Sequence, residues 1–244
     1  MTNKIIITGA GQRIGLFLTN YLISLNYYII AVVRTPTKEL SILQNLYPGR
    51  IEIIQQDFTR TPIDDKFWKQ LSHKKIIGFI HCASTFYYDT VSTASNSKIK
   101  EQQLVNCNVF IDACTSFCQN IKETTTPASF IAFLDSKLER LNSDHYSYTL
   151  SKLQLKASIP FLAMSCAPKI RVNAISPGLV LRSGEQTEEE FKIAQNEMPF
   201  GYGANLEDIS QTTAFLLMQN SVTGQIINVD AGQHLIADRD IIFK

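Results

Sequence analysis

Within its first 22 residues the sequence passes from an apolar run, Lys4-Ile5-Ile6-Ile7-Thr8, through Gly9-Ala10-Gly11-Gln12-Arg13-Ile14-Gly15 into a stretch with apolar residues at Leu16, Leu18, Tyr21 and Leu22. A short apolar run closed by glycine reads as a buried strand, and the recurrence that follows reads as one face of a helix. The unit is strand, tight turn, helix. Its glycines, spaced G-x-G-x-x-x-G, let the backbone approach a pyrophosphate, and the free N–H groups at the helix start suit an anion. An ordinary tight turn between strand and helix has the same look, and it is the position in the first such unit that favours a nucleotide.

The alternation continues along the chain. Strands are expected at Tyr28–Val33, Ile51–Gln55, 75–81, 128–134, 169–175 and 225–229, and helices at 61–72, 97–120, 146–166 and Leu206–Met218. Pro160 should distort the third of these helices or end it early. Residues 179–205, rich in Gly, Glu and Gln without sustained periodicity, read as a substrate flap. The expected fold is α/β: a single-domain, Rossmann-type, doubly wound parallel sheet with helices on both faces and right-handed crossovers. The 244 residues, 45% of them hydrophobic, suffice for one sizeable core.

Charge and cysteine usage narrow the partners. With Lys+Arg 23 against Asp+Glu 22 the net charge is +1, so no global field draws nucleic acid or an anionic membrane, and a small molecule is expected. Cys82, Cys107, Cys114, Cys118 and Cys166 form no C-x-x-C pair, and their odd number argues against a disulfide framework and for a reducing cytosol. No clustered His or Cys completes a tetrahedral site beside Cys114 and Cys118, so no metal is expected. The opening run of three isoleucines is too short for a signal peptide, and no segment nears the roughly 18 apolar residues of a membrane span, so a soluble, cytoplasmic protein is expected.

Chemistry-bearing residues fall at the strand ends. Arg34 and Thr35 follow the second strand, where a NAD-binding protein tends to place an acid on the ribose; a cation there suits the 2′-phosphate of NADPH. Asp57 and Phe58 follow the third, within reach of an adenine ring. After the fourth come Cys82, Ala83, Ser84, Thr85 and Phe86, and Phe86 is placed to stack on a flat heterocycle. Asn106 sits mid-helix, where an amide is a poor helix former unless exposed or bonded. Asp135 follows the fifth strand. Tyr148 and Lys152 form Y-x-x-x-K, which places both on one helix face. A free tyrosine has a pKa of about 10, and a neighbouring cation is expected to draw it toward neutrality as a proton donor.

Thr8-Gly9 with Gly15, Asp57, Asn106, Tyr148-x-x-x-Lys152, Pro177-Gly178 and Asn228-Val229-Asp230 together make the chain resemble the short-chain dehydrogenase/reductase family over nearly its full length. Three departures from the common pattern resemble its pteridine reductase and dihydromonapterin reductase branch: Arg13 in place of the middle glycine, Asp135 in place of the usual serine, and Phe86 in an A-S-x-F-Y context. The resemblance implies NADPH held by Gly9, Gly11, Arg13, Ile14, Arg34, Thr35, Asp57, Phe58, Ala83, Ser84, Tyr148, Lys152, Pro177 and Gly178. It implies a reduced pterin against Arg13, Ser84, Phe86, Asp135 and Tyr148. Catalysis would fall to Asp135, Tyr148 and Lys152, with Asn106 supporting a water relay, in a homotetramer with helices near 98–120 and 146–166 at an interface. Dihydromonapterin, dihydrobiopterin and dihydrofolate all fit as substrates. Cys82 departs from the usual Asn and is expected to loosen that turn. Two other readings compete: a reductase of a 3-oxoacyl thioester or small ketone, and a non-catalytic NADPH-binding sensor.

Overall fold

The structure is a computed structural model and describes residues 3–71, 74–120, 126–184 and 186–236. Seven apolar runs form strands: β1 (Lys4–Thr8), β2 (Tyr28–Val33), β3 (Ile51–Gln55), β4 (Ile76–His81), β5 (Ala128–Phe133), β6 (Ile170–Pro177) and β7 (Ile226–Val229). All pair in parallel, in the order β3-β2-β1-β4-β5-β6-β7. Parallel neighbours need a crossover, and the strand order reverses direction between β1 and β4, which opens a crevice at their carboxyl ends.

The helices are α1 (Arg13–Ser24), α2 (Lys38–Leu46), α3 (Asp65–Lys69), α4 (Asn96–Gln103), α5 (Val109–Asn120), α6 (Tyr146–Ser165), α7 (Glu188–Asn196) and α8 (Leu206–Met218). Ile5 and Ile7 of β1 pack with Leu18 of α1, Leu40 of α2 and Ile209 of α8, whereas Ile6 joins Trp68 of α3, Phe110 of α5 and Leu155 of α6. With both faces covered, the strand has no place for a polar residue between Lys4 and Thr8. An aromatic cluster fills the second face: Trp68 meets Phe117 at 4.9 Å between ring centres and Phe79 meets Phe130 at 5.2 Å. Trp68 Nε1 donates to Ser116 Oγ at 2.7 Å, so the indole is buried with its polar edge satisfied.

Five segments differ from the sequence reading. Of the helix expected at 61–72 only α3 forms, because Thr61-Pro62 keeps the chain out of the helical region before the Asp64 cap; Ser72 lies outside the described residues. The helix expected at 97–120 is a rod in three parts, with a π turn at Leu104–Asn108 between α4 and α5. Pro160 does not break α6, which runs on to Ser165. The proline lies on the exposed side of the helix, where the carbonyl it deprives of a partner is not trapped in the core. The flap contains α7, opened by a capping box in which Thr187 Oγ1 accepts from Glu190 N at 3.2 Å and the Glu190 carboxylate accepts from Thr187 N at 2.8 Å. With Phe191 its one buried residue, α7 offers no periodicity to read. The unanticipated α2 is hidden in the same way, since it buries only Leu40 and Leu43. Among the described residues no helix is long and apolar enough to cross a membrane.

Candidate active site

The β1–α1 turn is shaped for a bound anion. Gly9 has φ +68, and a Cβ there would lie 2.7 Å from Ala83 N, so the turns after β1 and β4 approach more closely than any side chain allows. Thr37, Ser95, Thr187 and Asn205 cap α2, α4, α7 and α8 with their side chains, whereas Gln12 gives α1 no such bond and its first turn holds no acid. Its leading N–H groups are left for a ligand. Thr37 Oγ1 also donates to Gly11 O at 2.6 Å and pins the loop after β2 against the turn. Beside that loop Arg34 and Thr35 are exposed. Asp57 accepts from Thr59 N and Oγ1 at 3.0 and 2.7 Å, and these bonds hold its carboxyl below the usual range.

Arg13, where the common family pattern has glycine, adopts φ +51, a left-handed conformation costing a side-chain-bearing residue roughly 1–2 kcal/mol. Its guanidinium donates to Arg182 O at 2.8 Å and to Leu181 O at 3.5 Å, tying the turn to the flap. Arg13→Gly should therefore raise stability by about 1 kcal/mol while loosening the flap. Thermal denaturation and limited proteolysis at 179–205 measure the two effects; a variant no more stable than the parent would show that the conformation carries no strain.

The brace at the end of β4 turns on His81, which the sequence reading passed over. Ala83 N donates to Thr8 Oγ1 at 3.2 Å, Thr8 Oγ1 pairs with His81 Nδ1 at 2.8 Å, and His81 Nε2 pairs with Val105 O of the π turn at 3.0 Å. The carbonyl can only accept, so the proton lies on Nε2 and the hydroxyl donates to Nδ1. Burial, and then the Lys152 charge, push His81 down to about 3, which keeps it neutral. Cys82 therefore does not leave the turn unbraced. A histidine closing an apolar strand was the readable signal.

Asn106 is fully buried in the π turn. Its Oδ1 accepts from Thr85 N at 2.7 Å, and its Nδ2 donates to Thr85 O and to Ser151 Oγ, both at 3.0 Å. The amide thus ties the loop after β4 to α6. Asp89 completes the tie, accepting from Ser147 N at 3.0 Å in the first turn of α6 and holding Ser147 Oγ as well.

Tyr148 and Lys152 emerge from α6 beside the end of β5. Tyr148 Oη donates to Asp135 Oδ2 at 3.0 Å, and Asp135 Oδ1 accepts from Lys137 N at 2.9 Å. Lys152 does not bond the phenol: its Nζ donates to Phe133 O at 2.6 Å and lies 5.8 Å from the Tyr148 ring centre. The phenol pKa accordingly departs from the expectation. Burial, then the Asp135 charge and hydrogen bond, hold it well above 10. Burial draws the Lys152 ammonium down to about 8. Phe86, 48% exposed, presents its ring edge-on to Tyr148 at 4.8 Å, and His145 stacks on it at 4.1 Å. Except for Asn106, every residue that the sequence assigned to the site lines one cleft of about 820 Å³, a size suited to a cofactor with a small substrate.

A family model of short-chain dehydrogenases, described as enoyl-(acyl carrier protein) reductase, matches residues 42–234. The chain belongs to the short-chain dehydrogenase/reductase family. A dihydromonapterin reductase of Enterobacter sp. (strain 638) is 26% identical over 238 residues, covering 95% of this chain and 96% of the relative. A 1,2-dihydroxy-1,2-dihydronaphthalene dehydrogenase of Pseudomonas putida is 25% identical over 253 residues, covering 94% and 96%. Among solved structures, the FolM alternative dihydrofolate reductase 1 of Brucella canis, complexed with NADP, is similar with a TM-score of 0.87 and 26% identity, covering 98% of both chains. In this member of the family Asp135 accepts a hydrogen bond from the tyrosine of the Y-x-x-x-K pair.

Proposed function

We propose that this protein is an NADPH-dependent reductase of a 7,8-dihydropterin, forming the tetrahydropterin. The observation that carries the reading is the Tyr148–Asp135 hydrogen bond beside the Phe86 ring. A phenol and a carboxyl group joined at 3.0 Å hold and pass a proton, and an aromatic ring next to them suits a flat heterocycle. The dihydromonapterin reductase and dihydrofolate reductase names carried by two of the similar proteins support it.

The residues present fit the cofactor. Gly9, Gly11, Ile14 and the uncapped start of α1 would hold the pyrophosphate, Arg34 and Thr35 the 2′-phosphate, and Asp57 and Phe58 the adenine. Ala83, Ser84, Lys152, Pro177 and Gly178 would hold the nicotinamide end. When bound, NADPH supplies a hydride to C6 of the pterin. The chain supplies the proton that N5 requires. A phenolate facing an ionised Asp135 is costly, so the transfer requires Asp135 to take a proton from solvent first; that proton would pass to the Tyr148 oxygen as the Tyr148 proton passes to N5, which leaves the carboxylate and the neutral phenol in place again. Asn106 enters as a brace of the loop bearing Ser84 and Phe86, which position the pterin. Homotetramer assembly and a cytoplasmic location belong to the same proposal; Phe161 and Met164, exposed on α6, and free thiols throughout the described residues support them.

The test is NADPH oxidation with 7,8-dihydromonapterin, dihydrobiopterin, dihydrofolate and an acetoacetyl thioester side by side. At least one dihydropterin should turn over and the thioester should not. Turnover of the thioester alone would make the protein a carbonyl reductase, and NADPH binding without any turnover would make it a sensor.

A further inference from the structure

Four buried side-chain polar atoms among the described residues have no hydrogen-bond partner, and two of them, Ser136 Oγ and Asp144 Oδ1, belong to residues lining the cleft. A buried polar atom left unpaired costs roughly 1–3 kcal/mol, so two in one cleft wall call for a partner from outside the chain. Their place in the fold gives that partner a shape. Ser136, 2% exposed, directly follows Asp135 and opens a short 3₁₀ turn, Ser136–Glu139. The chain then passes through exposed residues, among them Leu141 at 62% and Asn142, and returns through Asp144 to the start of α6. This connection runs from the Asp135–Tyr148 pair out to the cleft mouth.

We infer that Ser136 and Asp144 form a subsite for the side chain of the pterin, and that Asp144 selects a short, neutral, hydroxylated tail over a carboxylated one. The inference rests on the dihydropterin reading and goes further by naming the class of tail. A carboxylate oxygen without a partner accepts from a hydroxyl group, and a serine hydroxyl both donates and accepts, so the pair complements a vicinal diol. Asn142, also on this wall, adds an amide, and Lys137 is the one cation on the connection that lines the cleft. A tail ending in glutamate has N–H groups but no vicinal hydroxyls for the pair, and its carboxylates bring like charge toward Asp144, which disfavours binding.

The experiment compares the wild type, Asp144→Asn and Asp144→Leu on three substrates with the same head: 6-methyl-7,8-dihydropterin, 7,8-dihydromonapterin and 7,8-dihydrofolate. In Asp144→Leu the ratio of kcat/KM for dihydromonapterin to that for the 6-methyl compound should fall about tenfold or more, through KM, while dihydrofolate gains on both. Asp144→Asn, which keeps an acceptor and removes the charge, should retain most of the diol preference and still admit dihydrofolate better. A merely structural Asp144 would lower all three substrates together and leave the ratios fixed, which overturns the inference, as does a wild type that takes dihydrofolate and dihydromonapterin alike. If no dihydropterin is reduced, the reductase reading fails first, and fluorescence titration of the NADP-loaded protein with monapterin, 6-methylpterin and folate decides the subsite. Tighter binding of monapterin that Asp144→Leu abolishes supports it, and equal or absent binding sinks it.

Discussion

Tyr148→Phe should slow reduction of 7,8-dihydromonapterin by roughly 10²–10⁴-fold, the range contributed by one positioned acid. The ring would keep its packing against Phe86, 4.8 Å away, while the hydroxyl bonded to Asp135 Oδ2 disappears. Asp135→Ser restores the residue common in the family and should cost a comparable factor with dihydropterins, because a serine hydroxyl passes a proton only by giving up its own at the same time and, unlike a carboxyl group, has no second protonation state in which to hold one. Combined in one chain, the two changes should lower kcat little further than the worse single change, since the side chains act as one relay. Single-turnover rates at saturating substrate measure this directly. A Tyr148→Phe enzyme retaining more than about a tenth of the rate would place the proton donor elsewhere.

Gly15→Ala should unfold the site rather than slow it. The added Cβ would sit 2.2 Å from Gly9 O and 2.8 Å from Gly9 C, both main-chain atoms that cannot swing aside. The helix must then lift off the turn, separating the N–H groups of α1 from the glycines that face the same anion. Overpacking of this severity costs roughly 3 kcal/mol, which for a domain of this size lowers Tm by about 6–12 °C. NADPH affinity should fall with it. Gly11→Ala is the control: its Cβ would meet side-chain atoms of Thr37 and Val33 at 3.2 and 3.4 Å, which can yield, so the fold should lose about 1 kcal/mol or less. Equal Tm values for the two variants would refute the argument.

Much of this architecture was legible because buried parallel strands are monotonous. β1, β2 and β3 have the very ends that their apolar runs and flanking polar residues indicate, and α8 is marked by its acidic first turn. Where burial is slight, the pattern fails: α2 and α7 bury one or two residues each and are specified by Thr37 and Thr187 at their starts. The residues of the site were legible as a set, since strand ends deliver them to one edge. Their pairing was not. Spacing placed Lys152 beside Tyr148, but the depth of the site turned the ammonium to Phe133 O and gave the phenol to Asp135. Likewise no periodicity reports that Asn106 bonds the loop at Thr85, or that His81 takes the place of an amide brace at the end of the central strand.

The π turn at Leu104–Asn108 gives the rod from Asn96 to Asn120 two independent settings. One residue more than a regular helix needs offsets everything after it by about 100°. Asn106 can thus be aimed at the loop after β4, while Phe110, Ala113, Cys114 and Phe117 face the aromatic core, a division that one uniform stripe could not achieve. A single-residue deletion in this turn would restore an ordinary helix and leave the chain to choose between them: with the core kept in register, Asn106 rotates off Thr85 and the loop carrying Phe86 comes loose. Substitutions that improve helix propensity here would work against catalysis for the same geometric reason.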